Sequence, residues 1–168
     1  MADDGLDIQI SGLDELQAQL DDLGTKAAER CIRKALRAGA AIEQAAIVER
    51  APAKVGGGGI LPENALKNDI VVKVKREDDD SLSAVVGPDK FTAHVARWVE
   101  YGHRQVNGGY SRKTKSGKYR GPGKQIGDVP EHPFLRPAWE ATQTEVTDTI
   151  CTTLAAEIEQ AAKRKGTT

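Results

Sequence analysis

The sequence predicts an α+β fold: a small antiparallel β-sheet packed by two long helices, with a long basic, Gly-rich loop before the C-terminal helix. Three observations lead there. Apolar residues recur at helical spacing over two long stretches, near 25–50 and from Pro133 to about residue 163. Two short alternating stretches, 69–75 and 82–87, flank an acidic turn in the manner of a hairpin. Between 102 and 129 hydrophobic periodicity disappears while glycines and bases accumulate. At 168 residues the chain is expected to form a single domain, 1–168.

The elements follow in order. Leu6, Ile8 and Ile10 alternate with Asp7 and Gln9, which reads as a short strand. Ser11 offers an N-cap, Leu13, Leu16, Leu20 and Leu23 follow at helical spacing, and Gly24 supplies the stop. Thr25 opens a longer helix to about Arg50. Its apolar stripe of Ala28, Cys31, Ile32, Ala35, Gly39, Ile42 and Ala46 is so small that another element must approach its backbone closely. Pro52 ends it. Residues 53–64, with glycines at 56–59, read as a loop; no Lys-Ser or Lys-Thr follows them, which argues against a phosphate-cradling loop. The first strand of the hairpin places Ile70, Val72 and Val74 on one face. Phe91, Val95, Trp98 and Val99 then predict a short helix over 91–101, and the final helix carries Val146, Ile150, Leu154, Ile158 and Ala161 as its stripe. Lys163, Arg164 and Lys165 complement the negative end of its dipole.

The charge balance is near neutral, with 24 Lys and Arg against 25 Asp and Glu, so no global basic footprint for nucleic acid exists. The distribution is uneven. Residues 1–30 hold eight acids against Lys26 and Arg30, whereas 101–130 hold seven bases (Arg104, Arg112, Lys113, Lys115, Lys118, Arg120 and Lys124) against Asp128. Opposite patches on a neutral chain suit head-to-tail self-association or docking between unlike partners; two solvated faces are the plain alternative. No apolar run is long enough to span a membrane. The first residues lack a signal-peptide pattern, so synthesis and retention in a cytosol are expected.

Nothing in the sequence argues for an enzyme, a metal or a cofactor. Cys31 and Cys151 lie on predicted helices, with no Cys/His spacing of a zinc site, and are expected to be buried free thiols. His94, His103 and His132 form no ligand motif, no serine elbow is present, and the glycines at 121, 123 and 127 miss the dinucleotide spacing. The feature with physical content is the 102–129 segment, read as one long mobile loop. Its bases, interleaved with Tyr110 and Tyr119, fit either nucleic acid phosphates or an acidic protein surface. A rigid reading element for base sequence is lacking.

Three motifs, taken in order, carry a family resemblance. Ala51-Pro52, a glycine-rich stretch and Leu66-Lys67-Asn68-Asp69-Ile70 come first, with Asp69 where the family has Ser. Val86-Gly87-Pro88, Ala93 and Val99-Glu100-Tyr101-Gly102-His103 follow, with His103 in place of Thr. Pro133-Phe134-Leu135-Arg136-Pro137-Ala138 then opens the last helix. Together they resemble the tail-completion or neck proteins of long-tailed bacteriophages, the Hong Kong ninety-seven-type tail-component family. The resemblance implies a structural virion protein, made in the host cytoplasm, that completes the tail and joins it to the head. It implies a sixfold ring around the DNA channel, beside a tail terminator, tail tube or head-closure ring, with non-specific DNA contact in the channel left open. A tail-terminator ring capping the tube is the near alternative; a nucleic-acid-binding accessory protein using the basic loop is the alternative of another class. Of the motif residues Glu100, Gly102, Pro133, Phe134, Leu135, Arg136 and Pro137, the prolines fix the helix entry and Phe134 and Leu135 plug the core. Arg136 is a candidate to pair with an acid across a subunit boundary, with Glu100 the candidate acid.

Overall fold

A computed structural model describes residues 24–55, 62–77, 81–107 and 124–166, without the side chains of 106, 107, 124–126 and 166. The expected strand at 6–10, the helix after it and the glycine run at 56–59 lie outside the described residues. The elements are α1 (Thr25–Arg50), α2 (Ala65–Asn68), β1 (Ile70–Arg76), β2 (Leu82–Pro88), α3 (Ala93–Tyr101), β3 (His103–Asn107), β4 (Lys124–Val129) and α4 (Leu135–Gly166). The fold is α+β, as the periodicities predict. Strands β1 and β2 form one two-stranded sheet, β3 and β4 another. The five residues joining β1 to β2 are too few for a parallel crossover, so that pair is an antiparallel hairpin. The chain divides into two compact units: described residues through Ala40 with Val74–Ala84 and those of Thr144–Thr168, and Ala41–Lys73 with Val85–Gln143.

In the first unit the small-residue stripe of α1 does what its composition requires. Cys31, Ala35 and Ala40 are buried there, and so are Val146 and Ile158 of α4. At Gly39 a Cβ would lie 2.5 Å from Ile150 Cγ1 and 3.1 Å from the Val146 carbonyl oxygen, so only glycine admits α4 at this distance. Lys34 reaches Glu157 at 2.6 Å across the same pair of helices. Glu29 accepts from Arg33 at 2.8 Å and from Arg76 at 2.5 Å, tying the end of β1 to α1. The Arg33 hydrogen bond, joined by Arg76, holds the Glu29 carboxyl below its usual value against a smaller opposing effect of burial. The exposed pairs of Lys34 and Arg76 add little stability singly. Cys31 and Cys151 are free; Cys31 is buried, whereas Cys151 is only half-buried, a partial departure from the expected pair of buried thiols. Burial pushes the Cys31 thiol up, keeping it protonated and inert.

In the second unit, the core comprises Ala46, Ile47, Ala51, Leu66, Ile70, Ala96, Phe134 and Ala138, flanked by Val48, Val55, Val86, Val99 and Leu135. Helix α2, four residues just after the expected 53–64 loop, has no periodicity to announce it. It is anchored by buried Leu66 and entered through Asn64 at φ 60°. Asp69 organises the entry to β1: its side chain accepts from Thr92 Oγ1 at 2.6 Å, and its carbonyl accepts the Asp89 N–H at 2.9 Å. Gln44 Nε2 donates to the Ile70 carbonyl at 2.6 Å.

The 102–129 segment departs from the single-loop expectation at both ends. His103 pairs with Val129, Arg104 with Asp128 and Gln105 with Gly127; after a shift between Gln105 and Val106 the register resumes as Val106 with Gln125 and Asn107 with Lys124. The pairing is antiparallel with one extra residue on β4, a bulge. Backbone hydrogen bonds define these strands, and the polar residues between them carry no alternation, so periodicity is silent there. Helix α3 starts at Ala93 rather than 91, and α4 runs to Gly166.

The close approach at Gly39 sets a test. Gly39→Leu should lower stability by about 1–3 kcal/mol through overpacking, while Ala41→Leu, at an exposed position of the same helix, should change it little. Urea melts of the two variants compare them directly; equal midpoints would mean that α4 does not pack at Gly39.

Candidate interaction site

Helix α3 has two faces with different chemistry. Val95, Ala96, Val99 and Glu100 point inward, and Glu100 is among the most deeply buried side chains described, at 1 % exposure. His94, Arg97, Trp98 and Tyr101 point outward, and Phe91, in the turn before the helix, is exposed. The spacing of 95, 96, 99 and 100 against 94, 97, 98 and 101 is the helical repeat, one face rotated from the other.

The inward carboxylate meets the start of α4. Glu100 Oε2 accepts the backbone N–H groups of Phe134 at 2.8 Å and Leu135 at 2.9 Å. Its Oε1 accepts the Arg136 N–H at 3.2 Å and Arg136 Nε at 3.1 Å. A helix N-terminus leaves four N–H groups without intrahelical partners. Three of them go to Glu100, and the fourth does not exist because position 137 is proline. The positive end of the helix dipole faces the same carboxylate. Burial alone would raise the Glu100 carboxyl, but the amides of Leu135, Phe134 and Arg136 with the Arg136 side chain outweigh it and hold the carboxyl below its usual range. With its oxygens turned to four donors and its proton held off, Glu100 is built to anchor a helix and is poorly suited to general acid or base work.

The supporting geometry is equally specific. Gly102 ends α3 at φ 68°, and a Cβ there would lie 2.7 Å from the Val129 carbonyl oxygen and 3.0 Å from the Glu131 nitrogen. Only glycine both takes this backbone conformation and lets residues 129–131 pass. The His132 N–H then donates to the Val99 carbonyl at 2.7 Å, closing the path to Phe134. Phe134 is wholly buried and Leu135 packs against the core, as expected of both. Arg136 leaves the anchor half-exposed, 3.5 Å from Glu131 and with its guanidinium 5.2 Å from the centre of the Tyr101 ring.

The structure thus brings Glu100, Gly102, Phe134, Leu135, Arg136 and Pro137 together, with Pro133 exposed just before them. It corrects one expectation: Arg136 pairs with Glu100 of its own chain, so the pair needs no subunit boundary. The backbone share of that anchor was not anticipated. Its signal is a lone Glu among the inward positions of α3, preceding Pro133-Phe134-Leu135-Arg136-Pro137. Among the basic residues, Arg104 is exposed on β3 and Lys124 begins β4, whereas Arg112, Lys113, Lys115, Lys118 and Arg120 lie outside the described residues.

A second correction concerns aromatics. Phe91 and Trp98, expected in one apolar stripe with Val95 and Val99, are both exposed: Trp98 is on the outer face of α3, and Phe91, 82 % exposed, lies in the turn before it. Tyr101 and Trp139 are exposed as well. Trp98 stands edge-on to His94 and stacks at a tilt on His103, each at 5.3 Å between ring centres. Among the described residues no group of three His, Cys, Asp or Glu is placed to hold a metal, and no helix is long and apolar enough to cross a membrane.

Among the described residues Glu100 is the one buried charged side chain, and it anchors a helix, while the outer face of α3 carries aromatics and an arginine. Residues 14–102 match the family model described as "Bacteriophage HK97-gp10, putative tail-component". The match covers more than half of the chain, which therefore belongs to this family of phage tail components, a structural class whose place is the virion. It ends at Gly102, so it includes Glu100 but not the 134–136 segment that Glu100 anchors. No curated protein and no solved structure matches the chain.

Removing the anchor should cost more than removing its ion pair. Glu100→Ala leaves three N–H groups without their acceptor and should lower stability by about 2–4 kcal/mol. Arg136→Ala leaves the three backbone bonds intact and should cost far less. Chemical denaturation ranks the two; an Arg136→Ala loss equal to that of Glu100→Ala would mean that the ion pair, not the amide cradle, carries the anchor.

Proposed function

We propose that this protein completes the tail of a long-tailed phage and joins it to the head at the neck, as a closed ring, sixfold, around the DNA channel. Its membership of the tail-component family is the observation that carries the reading. A ring requires a heterologous interface, in which one patch meets a different patch on the neighbour. The chain has two such patches of opposite sign: eight acids against two bases in residues 1–30, and seven bases against one acid in 101–130. Neighbouring neck and tail proteins, the tail terminator, the tail tube or the head-closure ring, are the other partners.

The basic segment is read as an interaction loop that seats on a carboxylate-rich protein face. A channel through which DNA must slide gains nothing from a tight grip on phosphates. Seven like charges within a short span repel one another until an anionic surface meets them. DNA in the channel is the competing counterpart, and it predicts salt-sensitive DNA binding by the isolated chain.

Neutralising Arg112, Lys113, Lys115 and Lys118 together should leave the thermal melt unchanged while impairing head–tail joining. Counting joined and unjoined particles by electron microscopy reads this out, with antibody labelling of the wild-type protein to locate it at the neck. Normal particle yield from the quadruple variant would show that the loop is a passive solvated excursion. Label confined to the tube end of head-free tails would favour the terminator role.

A further inference from the structure

The outer face of α3 is unlike a solvent face. Trp98 and Tyr101, 43 % and 62 % exposed, lie with His94 on one side of the helix, and Phe91, 82 % exposed, stands in the turn just before it. Arg97 sits among them at the open cleft that His94, Trp98 and Tyr101 line. No ion pair involves Arg97 among the described residues. Lys90 and Arg104, both exposed, flank the patch in sequence. Two large aromatics beside an arginine in one cleft, with a third exposed just ahead of the helix, form a surface that sheds water readily and attracts anions. Such clusters of aromatic and Arg side chains mark the energetic centres of protein interfaces.

The chain itself contains a segment of complementary chemistry. Residues 1–23 carry seven acids (Asp3, Asp4, Asp7, Asp14, Glu15, Asp21 and Asp22) and no Lys or Arg. Interleaved with them are Leu6, Ile8, Ile10, Leu13, Leu16, Leu20 and Leu23. A segment this apolar and this acidic needs a seat that is both greasy and positive. We infer that the aromatic and basic outer face of α3 is the docking surface for residues 1–23 of a second copy of this chain. The inference rests on the ring reading, which requires unlike patches on neighbours, and it names the residues that meet. The Leu and Ile side chains cover Phe91, Trp98 and Tyr101, while the carboxylates face Arg97, Lys90 and Arg104. Repetition around a closed ring seats every such segment and covers every aromatic face.

The test uses the full-length protein. A photo-reactive benzoylphenylalanine replaces Phe91, the most exposed aromatic of the patch and one outside the core. Equal amounts of light and nitrogen-15-labelled protein are mixed at high concentration and irradiated, and crosslinked peptides are identified by mass spectrometry. The expected result is crosslinks from position 91 into residues 1–23 in pairs of mixed label. In parallel, Arg97→Glu should weaken self-association at least tenfold by sedimentation, with an unchanged melt. Crosslinks only between equally labelled peptides would mean that the segment folds onto its own chain. Crosslinks elsewhere, none at all, or undiminished association of Arg97→Glu would equally overturn the inference. Antibody labelling of particles scores the neck reading separately, so a labelled neck with failed crosslinking removes the docking surface and leaves the function standing.

Discussion

The second compact unit depends on one carboxylate. Glu100 satisfies, from another element, the donors that the start of α4 cannot satisfy from within. A helix start buried without such partners would forfeit several hydrogen bonds. The requirement propagates outward. Glu100 must face inward, so α3 turns its aromatics outward. The 129–134 segment must pass close to the end of α3, so position 102 must be glycine. Phe134 must arrive with its N–H aimed at Glu100, and it fills the core in the same movement. Pro137 costs nothing in this arrangement, because its absent N–H is the one donor for which Glu100 has no bond.

Much of this was legible in the sequence, and the limits have physical causes. Helix α1 matches its expected span because Thr25 and Pro52 bracket a clear small-residue stripe, and Gly39 rightly signals close packing. The hairpin of β1 and β2 is equally plain from alternation. Strands β3 and β4 escaped because their pairing lives in backbone bonds between polar residues. The exposure of Phe91 and Trp98 escaped because apolar periodicity assumes that the greasier face is the buried one. In α3 a charged residue takes an inward position, and a pattern of hydrophobicity cannot anticipate a carboxylate that four donors repay. The motif residues 133–137 were recognisable as a helix entry, but their dependence on Glu100 is a tertiary fact about backbone amides.

The division of labour between inner and outer faces connects the fold to the family. The inner face of α3 holds the chain together through an anchor complete within one copy. Arg136 pairs with Glu100 of its own chain, and its half-exposed guanidinium lies over Tyr101 at the edge of the outer face. The outer face of α3, with Trp98 and Tyr101 exposed, takes no part in that anchor. A tail component contacts other tail proteins, and unlike patches of opposite charge steer such contacts and fix their direction.

The central claim is that Glu100 stays ionised because the amides of α4 hold it so. A carboxyl whose folded value is depressed below its unfolded one contributes stability above the unfolded value, and loses that contribution as the pH falls through the folded one. Following the Glu100 side-chain carboxyl carbon by NMR through an acid titration measures this directly. The account predicts a midpoint clearly below the ordinary glutamate value of about 4.3, or no titration before the chain unfolds. A midpoint at or above that value in the folded protein would mean that burial dominates, and that the amide cradle does not anchor the helix.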